Sequence, residues 1–530
     1  MKRNFAGLLL ETQVKEKPLN RRCMNLVVLV ALLSLSVSLY AAVAPTPSLY
    51  VSTHGSDSNP GTKEKPFLTV QHAADVAKPG DTIDIRGGKY CERLAVTSSG
   101  NATQGYITFR SEPGETAVLD GSCLTPEVGD SPMVALLNVS YVKIEHLEVG
   151  NYRTADPTRV PAGIRVYGHG SHIEIRDNNV HNIEQTYPGR EGPGHGANGF
   201  GIAVYGTDAT SPITDLIVDG NEVHNLQTGS SESLVLNGNV TSFRVTRNRV
   251  HNNNNIGIDI IGFEHTAKDP SVDRARDGIV AENHVYDITS RGNPAYGNDA
   301  NSDGIYVDGG THVVIERNII DHTDFGIELA SEHFHRDTSY IIARNNLIYS
   351  CHTAGISIGG YDEKRGSTHD TMIVNNTLYK NDTFHTGTGE IQMQFYLRNN
   401  VFKNNIVYIG DSNQALRSRS GRMDPNTPTV TFDHNLYYSP VGANKVKWSL
   451  DGKDYSSFEA YVKATGEDRD SKFADPEFVE PAAHNFHLKK DSPAIASGVN
   501  LGKDIVGSED LDGKPRCMNG KIDIGCYEMR

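Results

Sequence analysis

Six short segments share the pattern Gly-Ile-x-apolar: GIRV from 163, GIAV from 201, GIDI from 257, GIYV from 304, GIEL from 326 and GISI from 355. In an extended chain, alternate side chains face opposite ways, so x faces outward while its neighbours face the core. With the less regular segments SLVL and EIQM included, the x column reads Arg165, Ala203, Val235, Asp259, Tyr306, Glu328, Ser357, Gln392. Two residues further on, the same face carries Tyr167, Tyr205, Asn237, Ile261, Asp308, Ala330, Gly359 and Gln394. Acids and tyrosines gather in the middle of both columns. Paired carboxylates are the acid and base of glycosidic-bond hydrolysis, and inverting enzymes hold them about 6.5–9.5 Å apart. If these strands stack at ~4.8 Å, Asp259 and Glu328 lie ~9–10 Å apart and Asp308 lies ~8 Å from each. A hydrolase using Asp259, Asp308 and Glu328 is geometrically permitted. His265 and His333 follow acids in GFEH and ASEH. A lone loop histidine is more often surface, and His333 is kept only as a candidate substrate contact.

Such a column needs strands brought into register by a repeat. A second pattern, apolar-x-x-Asn-x-apolar, recurs at 175–180, 218–223, 245–250, 280–285, 315–320, 342–347, 373–378, 397–402 and 432–437. It aligns Asn178, Asn221, Asn248, Asn283, Asn318, Asn345, Asn376, Asn400 and Asn435. Short period-two strands separated by bends, repeating at intervals in the twenties or longer, are the coils of a parallel β-helix, an all-β solenoid. Asparagine tolerates the left-handed bend, and stacked amides bond from coil to coil, so these residues are read as structural. Long loops at 184–198, 263–276, 287–302 and 361–369 flank the acidic strands and would wall a groove around Asp259. TVQHAADVA (69–77) reads as a short helix capping the open end of the stack. The expected organisation is a leader and signal peptide over 1–44, an N-terminal cap with first coils over 45–125, the β-helix over 126–440 and a closing module over 441–530.

The chain has 530 residues, 51 of them glycine, and a net charge of −15, with a mean hydropathy of −0.43. The apolar run LVVLVALLSLSVSLY (26–40), with Arg21 and Arg22 before it and AAVA after it, has a signal-peptide layout. Cleavage is expected between 41 and 45, giving a secreted or periplasmic protein, and Met24 is an alternative start. The leader's six Lys/Arg and two Glu leave −19 after its removal. That balance disfavours nucleic acid as a partner and suits a polysaccharide, with anionic sugars needing a cation between them and the protein. No transmembrane segment is expected in the mature chain, and a monomer is expected. Pairs Cys91–Cys123 and Cys517–Cys526, with Cys351 free, fit an oxidising compartment.

The opening YVSTHGSDSNPGT…PGDTIDIRGGKY, the coils and the closing DSPAI…DIGCYE together resemble the secreted right-handed parallel β-helix proteins of the pectate-lyase superfamily, nearest to the family 9 polysaccharide lyases. The resemblance implies a calcium-assisted β-elimination on a uronate-containing glycan. In that family an Asp-Asp-Gly-Phe-Asp strand, with an acid one coil earlier, holds Ca²⁺. Here Asn255-Ile256-Gly257-Ile258-Asp259 keeps the glycine and last acid, Asp303 matches an acid one coil on, and Glu232 falls one coil before. The implied metal set is Glu232, Asp259 and Asp303. The family's lysine base has no counterpart in the column, which leaves Lys268 and Lys364 in the flanking loops. Arg165, Tyr167, Tyr205, Asn237, Tyr306 and His333 are the expected substrate contacts. A glycoside hydrolase and a non-catalytic glycan-binding β-helix are the alternatives.

Overall fold

The computed structural model describes residues 48–189, 197–419 and 429–529. The leader, the signal peptide with its cleavage region, and part of the 184–198 loop lie outside the described residues. Among the described residues the chain winds through three parallel sheets of 16, 13 and 11 strands, with two small antiparallel hairpins near the C-terminus. Each coil gives one strand to each sheet: Ile258–Ile261, Arg276–Ala281 and His284–Ile288 make one turn, and Asp303–Asp308 begins the next. This is a right-handed parallel β-helix, as the repeat implies.

Period-two alternation puts Ile258, Ile260, Ile305, Val307, Ile327 and Leu329 fully inside one continuous core. The glycine of each Gly-Ile-x-apolar segment has a steric cause. A Cβ on Gly257 would lie 2.6 Å from the Gly304 carbonyl oxygen, and one on Gly326 would lie 2.4 Å from that of Gly355. Successive coils approach too closely there for any side chain.

A buried amide ladder runs up the stack. Asn178, Asn221, Asn248, Asn283, Asn318, Asn346, Asn376, Asn405 and Asn435 each donate from Nδ2 to the side-chain oxygen of the next rung at 2.9–3.1 Å. The last acceptor is Asp468, which ends the ladder. Each amide also donates to a carbonyl of the preceding coil, as Asn283 does to Val245. Two rungs differ from the sequence alignment: Asn346 and Asn405 replace Asn345 and Asn400. In the coil at 342–347 the inward residue is Ala343, paired with Ile315, so the amide frame slips by one. Asn400 instead starts a strand and accepts from the Thr371 hydroxyl.

The slip explains the Asn-Asn doublets. The first member of each pair, Asn345, Asn375 and Asn404, has φ near +56°. Each turns outward to donate to the C-terminal tail, at Val506, Asp523 and Val499 respectively, at 2.8–3.0 Å. One amide holds the coil stack, and its neighbour ties the tail along it.

Helix Val70–Val76, N-capped by Thr69, buries Val70, Ala73 and Ala74 at the N-terminal end. Trp448, Tyr437 and Tyr461 cluster at the other end, where both tyrosine hydroxyls donate to Asp468. Cys91 and Cys123 are disulfide-bonded. The expected Cys517–Cys526 bond is not formed: Cys526 is buried under the coils, its amide donating to Thr377, while Cys517 is exposed beside Asn500. No helix among the described residues is long and apolar enough to cross a membrane.

Removing one ladder amide strands its partners on both sides, and an unmatched buried polar group costs about 1–3 kcal/mol. Asn283→Ala is therefore expected to lower unfolding free energy by about 3 kcal/mol, read as a drop in the urea midpoint. Asn298→Ala, at an exposed loop position outside the ladder, should stay within about 0.5 kcal/mol.

Candidate active site

The outward column lies on the 11-stranded sheet. Its register runs Ala135–Arg165–Ala203–Val235–Asp259–Tyr306–Glu328–Ser357–Gln392–Arg417 across adjacent strands. Asp259 and Glu328 are thus two rungs apart, with Asp308 on the intervening strand and opposite Ala330. The lateral alignment read from the repeat is the alignment of the fold.

These acids are not solvated. Asp259 and Asp303 are 2% exposed, Asp308 5% and Glu328 9%, because the loops that leave the strands fold back over the column. Asp303 shares the strand parity of inward Ile305 and Val307, but it sits at the strand's first position, and its carboxyl reaches Glu328. Two carboxyl groups can hydrogen-bond only if one carries a proton. Glu328 also accepts from Ser357 Oγ and Gln394 Nε2, both at 2.9 Å. Burial pushes Glu328 up to about 7, opposed by its hydrogen bonds to Ser357 and Asp303 and raised further by Glu332. Burial likewise lifts Asp303 well above the carboxylate range, with Glu328 and Asp259 adding to it. Asp259 is lifted by burial, then by Glu232 and Asp308. Asp308 is lifted by burial and by Glu332, whose amide donates to it at 2.7 Å. Glu232, partly exposed, is raised to about 8 by desolvation and Glu264. The Oδ1 atoms of Asp259 and Asp303 are buried without a hydrogen-bond partner among the described residues.

A cavity of about 410 Å³ opens on this cluster. Asp303, Glu328 and Glu332 supply its acids, Tyr296, Tyr306, Phe325 and Tyr361 its aromatic walls, and Arg419 a cation at one end. Glu332 pairs with Arg365 at 3.7 Å, and Arg365 lies over the Tyr361 ring.

Other expected residues fall elsewhere. Asn237 is fully buried and committed, donating to Glu264 at 2.8 Å and accepting from Thr266, so it is withdrawn from substrate. Lys268 and Lys364 are exposed and form no ion pair with the cluster among the described residues. His333 is half-buried beside Glu264, with its Nε2 unpartnered. Arg165 is buried under Tyr205 and beside Tyr167, ion-paired with Asp130 at 2.8 Å, and with Tyr167 it lines a separate cavity toward the N-terminal coils. Glu232, Asp259 and Asp303 are not a collapsed ligand shell. The group whose ligand atoms close to within 4.8 Å among the described residues is Asp433, His434 and Asp470. The acids Glu264 and Glu332 belong to the cluster, and their signal was the carboxylate, not the histidine, of GFEH and ASEH.

Comparison with known proteins gives two family matches. Residues 49–195 match a family described as Pel9A-like, right handed beta helix region, and residues 240–390 match one described as disaggregatase related. The uncharacterized protein YwoF of Bacillus subtilis is 40% identical over 447 residues, covering 84% of this chain and 92% of that protein. Pectate lyase PEL9 of Emericella nidulans is 38% identical over 91 residues, 16% of this chain and 22% of that protein. The crystal structure of pectate lyase Pel9A superimposes with a TM-score of 0.48 at 13% identity, covering 92% of this chain and 98% of that one. The Pel9A-like match ends before Glu232, so the acids lie outside it.

Carboxyls whose pKa is raised on folding are neutral in the native state while the unfolded chain is ionised. They favour the fold below about 4.5 and progressively less as pH rises through about 7 and 8, the values of Glu328 and Glu232. Thermal midpoints should therefore fall between pH 5 and 8. Glu328→Gln and Asp259→Asn should each flatten that slope and raise the midpoint at pH 8, measured by scanning fluorimetry across pH.

Proposed function

We propose, because the chain belongs to the family of Bacillus subtilis YwoF among the right-handed parallel β-helix proteins of the pectate-lyase superfamily, that it is an exported carbohydrate-active enzyme cleaving glycosidic bonds of a polysaccharide with Glu328 as proton donor. The observation that carries this reading is Glu328 itself, a buried carboxyl held near pH 7 at the edge of an aromatic-walled cavity. A general acid works best with a pKa close to the working pH, and burial beside a second carboxyl is how proteins reach it. Asp303, hydrogen-bonded to Glu328, opposes the effect of burial and keeps the carboxyl near neutrality, and Ser357 and Gln394 fix its orientation.

In this mechanism Glu328 gives its proton to the departing glycosidic oxygen. Glu332, with the Arg365 guanidinium to support its charge, takes the proton from an attacking water. Tyr361, exposed at the cavity wall, offers a flat face to a sugar ring, and Tyr306 is buried beside the acids.

Calcium-assisted elimination on a uronate is a second reading, favoured by the orphaned Oδ1 atoms of Asp259 and Asp303. Hard, buried, unpaired oxygens suit Ca²⁺, with Glu232 as the third expected ligand. Calcium held there would acidify the C5 proton of a uronate. The weakness of this reading is the base, since Lys268 and Lys364 face solvent.

Incubation with a polysaccharide panel separates the two. Reducing ends without ultraviolet absorbance, unaffected by chelator, are expected; an unsaturated product lost on chelation would establish elimination instead. Glu328→Gln should lower kcat by roughly 10²–10⁴-fold. Because the acid must be protonated, kcat/KM should fall as pH rises through about 7. Undiminished turnover in Glu328→Gln would remove it from the mechanism.

A further inference from the structure

Beyond the acids, both outward columns change sign. Glu328, Ser357, Gln392 and Arg417 are consecutive partners across the sheet, and Arg419 follows two residues after Arg417. At ~4.8 Å per rung, Arg417 stands about 14 Å from Glu328 along the groove, a span of a few sugar residues. A second cavity, of about 780 Å³, opens there, and it shares Arg419 with the acid cavity. Arg417, Arg419 and Lys447 line it, with Phe395 and Tyr455 as its aromatic surfaces and the buried Trp448 behind them.

Among the described residues, charge in this cavity is incompletely matched. Its lining includes one acid, Asp454, which is mostly exposed and 3.9 Å from Arg417. With the Gln392 amide turned to present its oxygen, Arg419 donates to it from Nε and Nη2 at 2.8 and 3.2 Å, a neutral partner. Lys447 is exposed and has no ion pair among the described residues. A separate observation points to a ligand. Trp448 is 1% exposed, lines the cavity, and its Nε1–H has no acceptor among the described residues. Buried indole donors ordinarily find a partner.

We infer that this basic cavity is a subsite for an anionic group, a carboxylate or sulfate, carried by the polysaccharide a few sugars away from the bond that is broken. Resting on the cleavage site proposed above, it defines the substrate class as an acidic heteropolysaccharide with a neutral residue at the scissile position. Glu332, ionised as the base, disfavours an anionic sugar beside Glu328, while Arg417, Arg419 and Lys447 attract one about three rungs on. A polymer charged at every residue places an anion beside Glu332, and an uncharged polymer leaves the cations unpaired.

The test is binding of defined oligosaccharides to the full chain by calorimetry. The three probes are a hyaluronan octasaccharide, in which uronate and neutral amino sugar alternate, a galacturonate octamer and a neutral chito-oligosaccharide. A chondroitin sulfate octasaccharide distinguishes sulfate from carboxylate recognition. An alternating acidic probe, carboxylate or sulfate, is expected to bind at least tenfold more tightly than either the fully charged or the neutral one, and to weaken between 50 and 500 mM salt. Arg417→Ala and Lys447→Ala should each remove about tenfold of that affinity, while Lys490→Ala, an exposed lysine outside both cavities, leaves it intact. If neither alternating probe is preferred, or if both cation variants bind as wild type, the subsite is overturned. Loss of turnover enters none of these readings. Retained binding preference with an active Glu328→Gln variant would therefore sink the cleavage mechanism and leave the subsite standing.

Discussion

Parallel, in-register stacking is the constraint on which everything else depends. Each coil lies one strand spacing from the next, so every residue has its counterpart in the following coil as its nearest neighbour. Like stands beside like. For asparagine this is favourable, because an amide both donates and accepts and each rung satisfies the one before it. The result is a buried polar column with its hydrogen bonds made, ending on Asp468 where the coils stop.

For carboxylates the same constraint is costly. Asp259, Asp303, Asp308 and Glu328 are brought within mutual reach and covered by loops, with few cations among them. The group cannot stay fully ionised without a counterion, so it holds protons or holds a metal. Either outcome serves chemistry on a sugar. A scaffold as extensively bonded as this one tolerates a region whose electrostatics oppose folding, and active sites characteristically occupy such regions.

The Pel9A-like match and the acidic strands fall on different segments of one continuous solenoid. The Pel9A-like match covers the early coils, and the acids stand on later strands. Those later strands also carry the departures from the lyase pattern: Asn255 and Ile256 where acids would stand, and no lysine in the column. The acids fall instead in the stretch 240–390 that matches the disaggregatase-related family, on a solenoid of a kind that supports many chemistries.

The repeat made the architecture and the acidic column legible, because side-chain parity and coil stacking are local rules that convert spacing directly into neighbours. The alignment of Asp259, Tyr306 and Glu328 follows from them. Where two asparagines stood together, the rules were degenerate. Only the packing of Ala343 under Ile315 decided that Asn346 joins the ladder and that Asn345 reaches the tail. Residue type and parity likewise gave no warning that the outward acids would be buried, that Asn237 would be spent on Glu264, or that Cys526 would be sealed under Thr377. Those outcomes belong to loops folding back across coils distant in sequence. Their contacts depend on three-dimensional closure, which no period along the chain encodes.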